Sequence, residues 1–256
     1  MSVVIAVANQ KGGVAKTTTV HALGDALVAQ GRRVLLVDLD PQASLTWAAG
    51  IDTEALELSL HDVLLGRAEV ADVLAKAGDL HVIPSSIDVA GAEMHLLTKT
   101  GREYVLRRAL ERVLADYDLV LIDCPPSLGI LTINGLTAAS DVLVPLQCEA
   151  LSQRGVGQLL ETIDDVRSYT NPRLRVMGVV ATMYDGRTKL AHQVVDEVRD
   201  QYDLEVLDPP VPKSVRVAEA PAAHRSVLRH APRSKSAEAY RALAREIDAR
   251  RQKEER

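Results

Sequence analysis

Two hydrophobic patterns alternate along this chain. Short runs rich in Val, Leu and Ile are typical of strands that are buried on both faces. They occur at residues 3–8, 33–38, 80–84, 119–123, 142–146 and 174–182. Segments with an apolar residue at every third or fourth position are typical of helices. They occur at residues 17–30, 87–98, 103–116, 156–166, 190–198 and 236–250.

This alternation predicts βαβ units around a mostly parallel, twisted sheet with helices on both faces. Residues 43–78 are predicted to form short helices, and the Pro-rich, basic stretch 207–233 shows no clear period. No repeat or linker interrupts the pattern, so we predict one α/β domain over residues 1–256.

Composition excludes several classes of protein. With 256 residues, of which 47% are hydrophobic, the chain can bury a large core. Its first residues lack a basic, signal-like region and no apolar run is long enough to cross a bilayer, so we expect a cytoplasmic protein. Cys124 and Cys148 are too few for a disulfide framework or a four-ligand zinc site, and we expect both to be buried.

Charge is distributed unevenly. The net charge is −5, yet residues 213–256 contain 12 Lys or Arg against 6 Asp or Glu, which leaves the rest of the chain strongly acidic. Aromatic residues are rare, with a single Trp47, six Tyr and no Phe, which argues against platforms that stack single-stranded bases. Any binding of DNA should therefore be electrostatic.

A glycine-rich loop follows the first predicted strand and precedes the first predicted helix, over Asn9 to Thr18. Gly12 and Gly13 allow the backbone to form a nest of N–H groups for anionic oxygens. Lys16 can approach the outer phosphates, and the hydroxyl of Thr17 can bind the Mg²⁺ that bridges them. The loop departs from the ordinary G-x-x-x-x-G-K-[ST] pattern, because Gln10 and Ala15 occupy the outer glycine positions.

Two acidic motifs each end a predicted strand. Asp38 and Asp40 follow the second strand, share its parity, and are expected on one side; Asp40 can orient the water that attacks a γ-phosphate. Asp123 ends the apolar run 119–123, as in a Walker B motif, and would bind Mg²⁺ before a stiff Pro125-Pro126 turn. Taken alone, each motif could also be a simple polar strand end.

The arrangement Lys-Gly-Gly-x-x-Lys-Thr-Thr, with a second lysine at Lys11, resembles the deviant Walker A loop of the ParA/MinD ATPases. Four further segments resemble the ParA/Soj-type partition ATPases: residues 38–42, 123–126, 182–188 and 212–221. The resemblance covers nearly the full length and suggests a short form without an N-terminal DNA-binding domain. It implies that ATP lies between two subunits, that the homodimer binds double-stranded DNA without sequence preference, and that a ParB-like partner stimulates slow hydrolysis.

The resemblance also implies roles for individual residues. Lys11 would reach the phosphates of the partner subunit, Lys16 those of its own, and Asp40 would position the water and lie near Mg²⁺. The remaining loop residues implied to bind ATP are Gly12, Gly13, Val14, Ala15, Thr17 and Thr18. Gly12 would lie where only a hydrogen fits between subunits. Thr17 and Asp123 would bind Mg²⁺, and the adenine would lie beside Met183, Pro212, Lys213 and Ser214.

Two departures from the family pattern affect this hypothesis: Ala15 replaces a glycine, and Lys213-Ser214 replaces a common Arg-Asn pair. DNA binding is expected in the basic C-terminal region, through Arg216, Arg225, Arg229, Arg233 and Lys235. These charges could instead form an ordinary solvated surface. Two alternatives remain: a MinD-like positioning ATPase on membranes, for which 249–256 lacks an apolar face, and an ATP-binding module without turnover.

Overall fold

The structure is a computed structural model that describes residues 2–149 and 152–254. Its strands are β1 (Val3–Val7), β2 (Val34–Asp38), β3 (Ala75–Ala77), β4 (Leu80–Ile83), β5 (Leu119–Asp123), β6 (Asp141–Gln147) and β7 (Arg175–Thr182). Its first six helices are α1 (Lys16–Val28), α2 (Ser44–Ala48), α3 (Leu60–Leu65), α4 (Val70–Val73), α5 (Val89–Leu96) and α6 (Val105–Leu110). The others are α7 (Ile130–Ala138), α8 (Ser152–Tyr169), α9 (Lys189–Tyr202), α10 (Val215–Glu219), α11 (Val227–His230) and α12 (Lys235–Glu254).

The strands form one sheet in the order β3-β4-β2-β5-β1-β6-β7. Every neighbouring pair is parallel except β3 and β4, which are antiparallel at one edge. Register aligns Val7 with Asp123, and Asp123 with Asp38, so the carboxyl ends of β1, β5 and β2 meet at one level. Ligands of open α/β sheets bind at this edge.

The two faces of the sheet are covered separately. Along β1, Val4 and Ala6 join one apolar cluster whereas Ile5 and Val7 join the other, as the period of two requires. Residues of α3, α5, α6, α7, α8 and α9 contribute to the first cluster, and residues of α1, α11 and α12 to the second. The predicted fold class, α/β with a mostly parallel sheet and helices on both faces, is confirmed.

The C-terminal elements are bonded to α1 along its length. The hydroxyls of Thr19 and Tyr240 are 3.2 Å apart, and Arg32, just beyond α1, donates to Asp248 at 2.7 Å. Between them, the carboxylate of Asp25 accepts hydrogen bonds from Ser226 and from Arg229. The basic C-terminal region and the helix of the glycine-rich loop therefore share one face of the sheet.

Some predicted elements were wrong in detail. The helix α7 was missed because Ile130–Ala138 is apolar on nearly all sides and lacks a helical period. The helix expected over 103–116 is confined to Val105–Leu110, since the chain on either side forms tighter 3₁₀ turns. Strand β3 was also missed, and the stretch 207–233 contains two short helices, α10 and α11.

Among the described residues, no helix is both long enough and apolar enough to cross a membrane.

Candidate functional site

The glycine-rich loop connects β1 to the start of α1. Gly13 and Ala15 both have left-handed backbone angles, with φ of 75° and 69°. Ala15 precedes the first helical residue, Lys16, and provides no side-chain cap. The first N–H groups of α1 therefore lack a side-chain acceptor at the positive end of the helix dipole, as an anion site requires.

Asn9 and Lys16 hold the shape of this loop. The buried amide of Asn9 donates to the Pro145 carbonyl at 2.7 Å and accepts from the Lys11 N–H at 3.0 Å. The Lys16 ammonium donates to the Lys11 carbonyl at 3.2 Å, which curls its side chain back over the loop. Burial lowers the pKa of Lys16, and the nearby Asp123 carboxyl partly restores it. A phosphate at this position would supply the missing negative charge.

Asp123 ends β5 in a fully buried position. Neither of its carboxylate oxygens has a hydrogen-bond partner of normal geometry, although the Thr17 hydroxyl lies close enough to moderate its charge. Burial raises the pKa of Asp123 well above its ordinary range, and the carboxyl of Asp38 raises it further. Unpartnered buried carboxylate oxygens beside a hydroxyl are the donor set expected for Mg²⁺, which usually takes one or two protein oxygens together with phosphates and water.

Asp38 and Asp40 have different environments. Strand β2 ends at Asp38, and the Asp40 N–H donates to the Asp38 carboxylate at 3.2 Å, while the expectation that both side chains face one side stays a prediction. Asp38 is buried and accepts from the N–H and the hydroxyl of Thr46 at 2.8 and 2.7 Å, while burial raises its pKa to about 6. Of these two residues, only Asp40 lines the cavity above the glycine-rich loop.

A cavity of about 530 Å³ opens above the loop, a size typical of ligand pockets. Most predicted site residues line it: Gly12, Gly13, Ala15, Lys16, Thr17, Thr18, Asp40, Met183, Pro212, Lys213 and Ser214. Val14 and Asp123 are buried beneath its floor, where the Val14 carbonyl accepts from Thr182 at 3.0 Å. Segments far apart in sequence thus meet around one volume.

Lys11 lies apart from the cavity lining. Its ammonium is 3.8 Å from Glu149 and its side chain is partly exposed. An extra Cβ on the neighbouring Gly12 would meet no atom of its own chain closer than Pro126, at 4.0 Å. Within one chain, therefore, neither the position of Lys11 nor the glycine at position 12 is explained by the cavity itself.

Sequence reasoning missed several residues of the cavity wall. These are Ser44, Trp47, Ala48, Pro126, Thr182, Val211, Val217, Ala218, Pro221 and Tyr240. Ser44, Trp47 and Ala48 follow the Asp40 motif with helical spacing, a signal that could have indicated a wall formed by α2. Most of the others lie in segments that carry the family resemblance, and Tyr240 lies in the predicted helix 236–250, but the sequence did not show that these segments would meet at one cavity.

The structure divides the five predicted DNA-binding residues. Arg229 donates to the buried Asp25 at 3.0 Å and reaches Asp79 at 3.4 Å, so its guanidinium is engaged within the fold. Arg216 pairs with Glu219 on the surface at 3.0 Å. No ion pair involves Arg225, Arg233 or Lys235 among residues 2–149 and 152–254, and all three are exposed.

Comparisons with known proteins agree with this geometry. A family model described as an AAA domain matches residues 2–176, more than half of the chain. The sporulation initiation inhibitor protein Soj of Bacillus subtilis is 45% identical over 251 residues, covering 97% of this chain and 99% of that protein. The chromosome partitioning protein ParA of Caulobacter vibrioides is 47% identical over 251 residues, covering 96% of this chain and 94% of that protein.

A solved structure from Mycobacterium smegmatis superposes with a TM-score of 0.89 at 51% identity, covering all of this chain and 97% of that one. It is described as cobyrinic acid a,c-diamide synthase with bound ADP and magnesium, and a second structure contains an ATP analogue and magnesium. The near-complete coverage of Soj and ParA extends the likeness well beyond the phosphate loop. The chain belongs to the AAA-domain family and, within it, to the ParA/Soj-type partition ATPases.

Proposed function

We propose that this protein is an ATP-dependent DNA-partition switch. The observation that carries the proposal is a cavity lined by the glycine-rich loop and Asp40, with the buried, unpartnered Asp123 carboxylate close to Thr17 and Lys16 of that loop. Relatives at 45–47% identity are named for chromosome partitioning and sporulation control, and an ATP analogue with magnesium is bound in the similar M. smegmatis structure. ATP and Mg²⁺ are accordingly the cofactors that we assign.

The roles of the residues follow from their positions. The N–H groups at the start of α1 hold phosphate oxygens, and the Lys16 ammonium neutralises charge that develops during transfer. Thr17 and Asp123 would hold Mg²⁺, which would supply positive charge to offset that of the phosphates. Asp40 lies at the cavity wall, where its carboxylate can orient a water molecule for in-line attack.

Dimerisation explains the two features that one chain leaves unexplained. A Cβ at Gly12 has room within its own chain, so any requirement for glycine there comes from outside the chain. Lys11 does not line the cavity and its side chain is partly exposed, so its ammonium can reach phosphates held by a facing copy. ATP would then join two subunits, and hydrolysis, stimulated by a ParB-like partner, would separate them.

Nonspecific DNA binding is assigned to the dimer. Arg225, Arg233 and Lys235 are the predicted basic residues that remain exposed and outside any ion pair of the described residues. Arg229 serves the fold instead, because it neutralises the buried Asp25. The apolar face of α12, including Tyr240 and Ile247, is buried in the core that also contains residues of α1, which disfavours a membrane-binding role for that helix.

The proposal is tested by gel filtration and DNA binding with ATP, with ADP and without nucleotide. We expect dimers only with ATP, and DNA binding only by dimers. Gly12→Val should bind ATP as a folded monomer, because its side chain has space within the chain but not against a second copy. Lys11→Ala is the matched variant that removes the lysine proposed to reach the phosphates of a facing copy. DNA binding that is equal in all three nucleotide states would contradict the switch.

Measuring ATP hydrolysis distinguishes the proposed switch from a protein that binds ATP only as a structural ligand. Phosphate release should be slow alone, faster with DNA and a ParB-like partner, and lost in Asp40→Ala. No release under any condition would favour the structural role.

The name of the M. smegmatis structure suggests a second candidate, ATP-driven amide formation on a corrinoid acid. That activity would need a group to deliver nitrogen, and the chain's two cysteines are unsuited to this because burial raises the pKa of both Cys124 and Cys148. Mass spectrometry of a corrinoid acid incubated with the protein, ATP and glutamine would reveal any amide product. We expect none.

A further inference from the structure

Trp47 is the only tryptophan of a chain in which aromatic residues make up 3%. Its side chain is 46% exposed, although it lies in the wall of the cavity above the phosphate loop. Ser44, Trp47 and Ala48 have the spacing of one helical face, and all three line that cavity. Helix α2 therefore presents its tryptophan to the space where a nucleotide would lie.

The wall formed by α10 and the residues beside it is mainly apolar, although Lys213 and Ser214 also belong to it. It contains Val217 and Ala218 of α10, Pro221, and Pro212, which precedes α10. Thr17 and Thr18 of the phosphate loop line the same volume. The cavity thus has a polar part suited to phosphates and an apolar part that includes a large aromatic ring, which suits the nucleoside of the same molecule.

His224 holds Trp47 in place. The His224 ring nitrogen Nδ1 lies 2.8 Å from the Trp47 carbonyl oxygen, so it carries the proton and donates. The two rings meet edge to face, with centroids 4.9 Å apart and planes at 70°. A Cβ added at Gly50 would lie 3.3 Å from the Cβ of His224, which shows how closely the end of α2 approaches this residue.

We propose that Trp47 contacts the nucleoside of the bound nucleotide, and that His224 is a positioning residue that fixes the tryptophan ring for this contact. The inference rests on the proposed function only in assuming that a nucleotide occupies the cavity. A ring that is half exposed without ligand gains contact area when a planar base or ribose covers it, whereas the bare phosphate chain cannot provide that cover.

The experiment measures the emission of Trp47, which no other tryptophan obscures, while isothermal calorimetry measures binding independently. A non-hydrolysable ATP analogue and ADP should each change the emission at the concentrations at which calorimetry shows binding. Tripolyphosphate, which fills the phosphate loop but has no nucleoside, should bind without this change. An equal response to tripolyphosphate would indicate a loop rearrangement and overturn the contact.

Variants at Trp47 test the energy of the contact. Trp47→Ala should weaken binding of the ATP analogue about tenfold, whereas Trp47→Phe should retain most of the affinity. Tripolyphosphate binding should be the same in both. Trp47→Phe combined with Tyr169→Trp provides the control, since Tyr169 is 80% exposed at the end of α8 and its replacement should not respond to nucleotide.

Variants at His224 separate positioning from packing. His224→Ala should weaken analogue binding about threefold and reduce the emission change. His224→Asn should restore both, because asparagine tolerates the φ of 50° at this position and can donate to the Trp47 carbonyl. Calorimetric binding without an emission change, or an unaltered affinity in Trp47→Ala, would refute the contact but leave the proposed function intact. No calorimetric binding at all would refute both.

Discussion

Ala15 is strained in the backbone of the phosphate loop. Its φ of 69° and ψ of 33° are left-handed angles that cost an alanine about 1–2 kcal/mol relative to glycine. The sequence marks Ala15 as a departure from the family pattern, but only the structure shows that the cost is conformational. Ala15 also lies in the cavity wall.

Ala15→Gly should raise the free energy of unfolding by about 1 kcal/mol, because relief of the strain exceeds the added freedom of glycine in the unfolded chain. Urea denaturation measures the change. Gly66→Ala is the opposite control. Gly66 has a φ of 75° and does not line the cavity, so an alanine there should destabilise the fold by a similar amount without altering ATP binding. A less stable Ala15→Gly variant would show that the left-handed angle costs nothing here.

The two thiols should react slowly in the folded protein. Burial raises the pKa of Cys148 to about 11 and that of Cys124 further still. Both thiols are therefore neutral at pH 8, where roughly one Cys148 in a thousand is a thiolate. Alkylation by iodoacetamide, followed by mass spectrometry, should accelerate as pH rises from 7 to 10 and become fast in denaturant at any of these values. Complete labelling within minutes at pH 7 would contradict the shift.

At the scale of elements, Asp25 joins α1 to α11. Its carboxylate is 4% exposed and accepts from Ser226 and Arg229, so two elements separated by some 200 residues meet at one charge. Sequence patterns could not indicate this contact, because Asp25 lies within an ordinary helical period and Arg229 within a stretch predicted to bind DNA.

Asp25→Ala should destabilise the fold by about 2 kcal/mol, because it leaves the buried Ser226 hydroxyl unpaired and Arg229 without its main partner. Arg107→Ala is the matched control, since it removes the exposed pair with Glu111 on α6 and should cost less than about 0.5 kcal/mol. Equal losses in the two variants would show that Asp25 is no more than a surface ion pair.

The elements also show where sequence patterns are informative. Motifs that end buried strands, such as Asp123 at the end of β5, were located from the sequence because strand and turn signals coincide there. Helix α7 was not predicted from the sequence, since a buried helix lacks the polar face that reveals its period. Trp47 was noted only for its rarity, because its place in the cavity depends on packing of α2 against the turn Pro221–Ala223 and against His224.

At the scale of the whole molecule, the basic region and helix α1, which follows the glycine-rich loop, lie on the same face of the sheet. Residues 213–256 carry 12 Lys or Arg against 6 Asp or Glu, whereas the rest of the chain is acidic. That residues 1–256 form one domain stays a prediction, as do the roles of the predicted site residues. The basic residues proposed to bind DNA therefore belong to the side of the sheet that is covered by the helix following the glycine-rich loop.

DNA binding should weaken steeply with salt, by about 0.9 logarithmic units of affinity per tenfold salt for each phosphate contact. Arg225→Glu with Arg233→Glu should reduce this slope by about two units. Arg107→Glu with Arg112→Glu changes the net charge equally on the other face and should leave the slope nearly unchanged. Similar losses in both double variants would indicate a response to net charge alone.

Several hydrogen bonds between α1, or the residue just beyond it, and the C-terminal region have a consequence for synthesis on the ribosome. Among them, Thr19–Tyr240, Asp25–Ser226 and Arg32–Asp248 join residues 221, 201 and 216 positions apart. Helix α1 therefore emerges long before α12, and its outer side stays uncovered until α12 has been synthesised and has folded onto it. A nascent chain that stops short of α12 lacks the contacts that support the helix following the glycine-rich loop.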